Sequence, residues 1–326
     1  KNAKPGDTLT YRVKLTDKKN HIKVTVENQW AENSAHTTVD VPQGTKIAST
    51  KDSTLYVVAV GISRYPNLYD TQQLISPPID AKSIAARFKK LEGVLYKKVD
   101  VIVLTDDNGK PVTSDMVERA IFEQSRKAGP LDTTIIFLAG HGVTDSTGSY
   151  HFVTADTNLK NAYGTQSGID DSTSFSWKRL HKVLDTTMGR RVVIVDTCQA
   201  GEVFSDTKTD ISKLVKDVHD VNAIVYSGTS RQDAGIETKD GGVFTLSIVS
   251  GISGNAEYQG NILPFVNLKE YVDRDVPARN EKIMKRLIER AIKVDGADGK
   301  NADAGNTQKP VAVVPDGMEG FVVYGK

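Results

Sequence analysis

The sequence holds one cysteine among 326 residues. That excludes an internal disulfide and a thiolate zinc cluster, and a lone free thiol favours the cytoplasm. The six histidines (His21, His36, His141, His151, His181, His219) show no His-x-x-x-His spacing, so the helix-borne zinc pair of a metallopeptidase is missing. There is no Walker loop, no Gly-x-Gly-x-x-Gly and no Gly-x-Ser-x-Gly elbow. No metal or cofactor is expected. No apolar run approaches the ~20 residues of a membrane span. Lys and Arg (42) balance Asp and Glu (41), a net charge of +1, so nothing pulls the chain toward nucleic acid or a membrane surface. Lys1-Asn2-Ala3-Lys4-Pro5-Gly6 is no signal peptide and no initiator Met precedes it, so the chain reads as a fragment or a processed product.

What is present divides at about residue 50. Leu9, Tyr11, Val13 and Leu15 alternate with polar residues, as do Ile22, Val24 and Val26, at the spacing of half-buried strands. Asp17-Lys18-Lys19-Asn20 reads as the turn between them, and Val39 and Val41 start a third strand. Residues 1–50 are therefore read as the end of an accessory β-sandwich plus a linker, or as a hairpin packed on the main domain. An accessory domain or regulatory partner is expected upstream.

Residues 51–326 follow another grammar. Leu55 to Ile62, Val99 to Leu104, Thr133 to Ala139, Arg191 to Val195 and Val221 to Tyr226 are near-continuous apolar runs, the mark of strands covered on both faces. Helices are predicted between them: from Pro77-Pro78 with Ile84, Ala85, Phe88 and Leu91 on one face; from a Ser114 cap with Met116, Val117, Ala120 and Ile121; and from Trp177 to Leu184. Another helix starts near Val243, and Glu281 to Ile292 is a charged amphipathic one. This β-α alternation predicts an α/β fold with a mostly parallel sheet of about six strands and helices on both faces. In such sheets the reactive groups gather at the carboxyl ends of the strands. Two runs end in chemistry: one in Gly140-His141-Gly142, the other in Asp196-Thr197-Cys198-Gln199. Both residues are expected just beyond a strand end, where adjacent strands would bring them together.

Such a pair suits nucleophilic catalysis. The thiolate is the reactive form of cysteine, and a nearby imidazole supports it. Cys198 would attack a carbonyl, His141 would move protons, and the backbone N–H groups of Gly142 and Cys198 are the candidate oxyanion donors. Glycine at 142 leaves room for a close approach of substrate.

These segments, together with Leu55-Tyr56-Val57-Val58-Ala59-Val60-Gly61-Ile62-Ser63-Arg64-Tyr65 and Gly242-Val243-Phe244-Thr245, resemble the caspase-like cysteine peptidases, closer to bacterial members and metacaspases than to animal caspases. The resemblance spans about residues 54 to 290. The family's His precedes its Cys by about 50 residues, and the separation here is 57. It implies a caspase-like three-layer fold and a Cys-His dyad acting on protein or peptide substrates. Gln199 departs from the His that metacaspase-like members commonly carry after the Cys. Asp196 falls where the family places a pocket-lining side chain, and a carboxylate there would favour Arg or Lys before the scissile bond; bonding backbone amides is its structural alternative. Asp233 matches a loop that supplies a second pocket acid in metacaspases, or is a solvated loop acid. Asp156, after Phe152-Val153-Thr154-Ala155, is a third pocket candidate, with a turn role as the alternative. Lys208, Lys213 and Lys216 are candidate self-cleavage positions. Calcium activates some metacaspases, but no calcium site is legible: Asp295 to Asp303 departs from EF-hand spacing. The rival readings are a catalytically silent caspase-like scaffold or signalling module, and a different thiol hydrolase on a similar sheet.

Overall fold

The computed structural model describes residues 19–27, 32–40, 50–144, 149–158, 172–199, 221–229, 235–295, 308–315, 318 and 321–326. Strands β1 (Lys19–Glu27) and β2 (Glu32–Asp40) pair antiparallel in a two-stranded sheet of their own. Ile22, Val24 and Val26 fall in β1 as their alternation predicts, but Lys19 and Asn20 are strand, not turn, and β2 begins well before Val39. The ladder is continuous from Lys19↔Asp40 to Glu27↔Glu32, so pairing carries the strands past their apolar residues. The alternating segment at Leu9 to Leu15 lies outside the described residues.

The main domain continues with β3 (Thr54–Gly61), α1 (Pro77–Lys89), β4 (Lys98–Thr105), α2 (Ser114–Lys127), β5 (Thr133–Thr144), β6 (Tyr150–Phe152), β7 (Phe175–Ser176), α3 (Trp177–Thr186), β8 (Arg190–Gln199) and β9 (Ala223–Ser227). Then come β10 (Glu237–Thr238), β11 (Gly241–Gly242), α4 (Val243–Ser250), β12 (Ile262–Pro264), α5 (Phe265–Asp295), β13 (Val311–Val313) and β14 (Val322–Gly325). The central sheet runs β13-β9-β8-β5-β3-β4. All neighbours are parallel except β13, which closes one edge antiparallel to β9.

The apolar runs are continuous because each strand feeds two cores. Leu55, Val57 and Ala59 pack with α1, α4 and α5, while Val58 and Val60 pack with α2 and α3. Burying one such side chain contributes about 1.5–3 kcal/mol, and the alternate strand residues supply both layers. Among the described residues no helix is long and apolar enough to cross a membrane.

Four elements of the main domain differ from the sequence expectation. The cap of α2 is Thr113, whose hydroxyl accepts from the Met116 N–H, while Ser114 turns its N–H and hydroxyl to Asp156. Helix α5 starts at Phe265, well before Glu281, because Phe265, Leu268, Val272 and Val276 bury a stripe at helical spacing, and Pro277 lies within it. Finally, β5 and β8 outrun their apolar cores. Strand β6 folds back on β5 (Gly142↔Phe152, Thr144↔Tyr150), and β8 runs beside it as far as Gly142↔Gln199. His141 and Cys198 are thus inside strands rather than beyond their ends, and they are register partners.

Gly140 permits this extension. Its φ is 152°, and a Cβ there would come within 2.5 Å of Tyr65 Oη and 3.2 Å of Ile62 O. Gly109 also has positive φ (80°), but open space around it. Gly140→Ala is expected to lower the melting temperature clearly more than Gly109→Ala, which reports backbone strain alone, roughly 1–2 kcal/mol. Equal losses in thermal unfolding of the two variants would contradict this packing.

Candidate active site

His141 is 4% exposed and held from three sides. Its backbone N–H donates to Tyr65 Oη (2.9 Å), and that hydroxyl in turn donates to Ile62 O (2.8 Å). The Tyr65 ring lies 4.7 Å from the imidazole, centroid to centroid. Nε2 is 2.7 Å from the carbonyl oxygen of Gln72. A carbonyl can only accept, so Nε2 carries the proton and Nδ1 is bare. Nδ1 is buried and has no hydrogen-bond partner among the described residues. Burial pushes the imidazole pKa down, partly offset by the Gln72 bond and the charge of Glu237. The result is a neutral, oriented base whose register partner on β8 is Cys198.

Beside it is a cleft lined by Leu74, Ser76, Asp80, Gly140, Asp196 and Glu237, among others. Three of these six are carboxylates from three elements: Asp80 from α1, Asp196 from β8 and Glu237 from β10. Asp80 and Asp196 are 2% and 8% exposed. Asp80 accepts the Gly242 N–H on both oxygens (3.0 and 3.1 Å). Asp196 accepts the Thr245 N–H (3.2 Å) and hydroxyl (2.5 Å) in the first turn of α4. Glu237 accepts the Ser76 hydroxyl (2.7 Å) and N–H (3.1 Å). A side chain at 242 would meet both buried acids, Asp196 Oδ2 at 2.9 Å and Asp80 Oδ2 at 3.2 Å, so glycine is required there. No ion pair to these acids exists among the described residues. Burial, then the neighbouring Asp196 charge, raises the Asp80 pKa; burial and the Glu237 charge raise that of Asp196, against the Thr245 bonds. Among the described residues no group of three or more His, Cys, Asp or Glu is arranged to hold a metal.

The family model of the caspase domain matches residues 54–309. The chain belongs to the caspase-domain family. It is similar in fold to a solved protein from Geobacter sulfurreducens, at 14% identity and a TM-score of 0.50, over 69% of this chain and 89% of that one. Caspase-1 from Spodoptera frugiperda is also matched, at 12% identity and a TM-score of 0.49, over 81% of this chain and 89% of that one. No curated protein matches. The domain is that of cysteine peptidases, which act on proteins.

The remaining candidates occupy different parts of this caspase domain. With the Val153 N–H bonded to His141 O, Gly142 faces Phe152 at a non-hydrogen-bonded position, so its own N–H turns toward β8. The space beside its Cα is filled by the Tyr150 ring and Thr197 Oγ1, both under 3 Å from a Cβ position, so packing inside the sheet already demands this glycine. Asp156 does not line the cleft: its carboxylate takes the Ser114 N–H and hydroxyl (both 2.9 Å) and the Thr154 hydroxyl (2.7 Å) at the start of α2. Asp196 lines the cleft and also accepts the Thr245 backbone N–H. Asp233, Lys208, Lys213 and Lys216 lie outside the described residues. Asp80, Glu237, Tyr65 and the Gln72 carbonyl are site groups that the sequence reading misses. Asp80 left a signal, a carboxylate one turn before Ile84 and two before Phe88 on the apolar face of α1. Glu237, on a two-residue strand, left none.

A buried carboxylate whose pKa is raised by folding binds protons that the unfolded chain has released. Stability therefore falls as pH rises from the ordinary carboxylate range through the raised value. Asp80→Asn removes the charge and keeps an acceptor for Gly242. It is expected to raise the melting temperature at pH 7.5, by about 2–4 °C for each kcal/mol recovered, with a smaller gain at pH 5. A lower melting temperature at both pH values in calorimetry would overturn this assignment.

Proposed function

We propose that the chain is a cysteine endopeptidase that cleaves after Arg or Lys through a Cys198–His141 dyad. The observation that carries this reading is the cluster Asp80, Asp196 and Glu237 in one cleft beside a base whose register partner is the lone cysteine. Bare Nδ1 of His141 takes the thiol proton and the thiolate of Cys198 adds to the scissile carbonyl. The candidate oxyanion donors, the N–H groups of Gly142 and Cys198, face each other's strands in the β5–β8 ladder and serve once substrate displaces that pairing. His141 then gives its proton to the departing amine, leaving a thioester that water, activated by the same ring, hydrolyses to acid and free thiol.

A guanidinium or ammonium supplies the countercharge that the described residues of the cleft lack. Arg fits best, since its planar fork can engage carboxylates from more than one side. Asp is rejected by like charge in a buried site. No second reading is favoured by a specific observation.

The proposal predicts two behaviours of peptide substrates. In a panel with Arg, Lys, Asp or Leu before the scissile bond, Arg and Lys peptides are cut, and Cys198→Ala abolishes cutting. Asp196→Asn lowers kcat/KM for Arg peptides by at least about 30-fold, the cost of leaving a buried charge without its partner. The pH dependence has a definite sign. Acidification protonates Asp80 and Asp196 first, because their pKa values are raised, whereas His141, with its pKa lowered, stays basic to lower pH. KM for Arg peptides is thus expected to climb on acidification before kcat is lost. Preference for Asp, or simultaneous loss of both parameters, would contradict the pocket.

A further inference from the structure

The two most exposed large apolar side chains among the described residues are Tyr69 (76%) and Ile75 (70%), and they bracket the segment that holds the catalytic base. Gln72, whose carbonyl accepts from His141 Nε2, lies between them. Neither is on a loose loop. The Tyr69 N–H donates to Gln72 Oε1 (3.0 Å), and its carbonyl accepts the Gln72 N–H (2.9 Å). The Ile75 N–H points to Glu237 Oε2 (3.4 Å), and the flanking residues Leu74 and Ser76 both line the cleft.

The exposure of Ile75 has a local cause. Ser76 is the cap of α1, so Ile75 precedes the cap and Asp80 is the fourth helical residue. A hydrophobic residue at the first of these positions ordinarily packs against one at the second. Here the second is a carboxylate committed to the cleft and bonded to Gly242, so Ile75 is left uncovered at the lip. Exposed single apolar residues are common; Ile75 stands between two residues that line the cleft, and Tyr69 is held on the same segment, on the other side of Gln72.

Resting on the proposed function, we infer that Ile75 and Tyr69 form an apolar subsite for the substrate residue on the leaving side of the scissile bond. His141 must reach the departing amine, so the leaving portion of the peptide passes over the imidazole. The segment that carries the imidazole's acceptor carries both side chains. The subsite selects aliphatic or aromatic residues and disfavours carboxylates, which would also face Glu237.

The test uses peptides with a fixed Arg before the scissile bond and Leu, Phe, Gly or Asp after it, with products separated by chromatography and cleavage sites read by mass. The wild-type chain is expected to favour Leu and Phe over Asp by roughly tenfold or more in kcat/KM, the scale of discrimination by an apolar pocket. Ile75→Asp should bring that ratio to about one or invert it, while Ile75→Leu retains it. Its exposure means that neither variant threatens folding, which melting temperature verifies. Cleavage after Arg with no preference among Leu, Phe, Gly and Asp, or a ratio unchanged in Ile75→Asp, overturns the subsite and leaves the proposed function standing. Absence of any Cys198-dependent cleavage after Arg or Lys overturns both.

Discussion

Among its described residues the caspase domain is organised around a charge imbalance that no cation resolves. Asp80 and Asp196 approach the same glycine from opposite elements, and among the described residues no cation answers them. Burying a carboxylate without a partner costs several kcal/mol unless hydrogen bonds or a proton compensate. The bonds from Gly242 and Thr245 compensate in part, and the raised pKa values record the remainder. Carboxylates perturbed in this way cluster at functional sites, and under the proposed function the missing charge arrives with the substrate.

The same bonds tie the cleft to the scaffold. Asp196 holds the first turn of α4 through Thr245, and Asp80 holds the residue preceding that helix. Glu237 fastens the start of α1 through Ser76. The acids thus join α1 and α4, two of the three helices on one sheet face, to the cleft they line. His141 is fixed separately, through Tyr65 and the Gln72 carbonyl, both from the segment between β3 and α1. One connection therefore carries the histidine's acceptor, part of the cleft wall and the exposed apolar pair.

Most of the fold is legible in the sequence because two-sided burial leaves its mark on every residue of a strand. Leu55 to Ile62 and Thr133 to Ala139 need no context to be read. The extensions of β5 and β8 are not legible, since residues 140–144 and 196–199 become strand through pairing with β6 and with each other rather than through apolar content. The start of α5 is masked by its conspicuous charged half, although its apolar stripe is present from Phe265. Of the site, the His-Gly and Asp-x-Cys segments stand out because they end apolar runs. Asp80 and Glu237 do not, because a carboxylate becomes a pocket residue only when the chain folds around it. Asp156 shows the converse: near the site in sequence pattern, it serves the start of α2.

The central claim is that a substrate cation completes this cleft. Calorimetric titration of the full chain with a peptide aldehyde ending in arginine, in two buffers of different ionisation enthalpy, reads affinity and proton uptake together. Addition of the thiol to the aldehyde moves its proton to oxygen and is neutral overall, so any net proton comes from other groups. The account predicts tight binding with release of protons from the Asp80–Asp196 pair at neutral pH, and no binding of the aspartate aldehyde. Equal or tighter binding of the aspartate aldehyde, or arginine aldehyde binding without proton release, would contradict it.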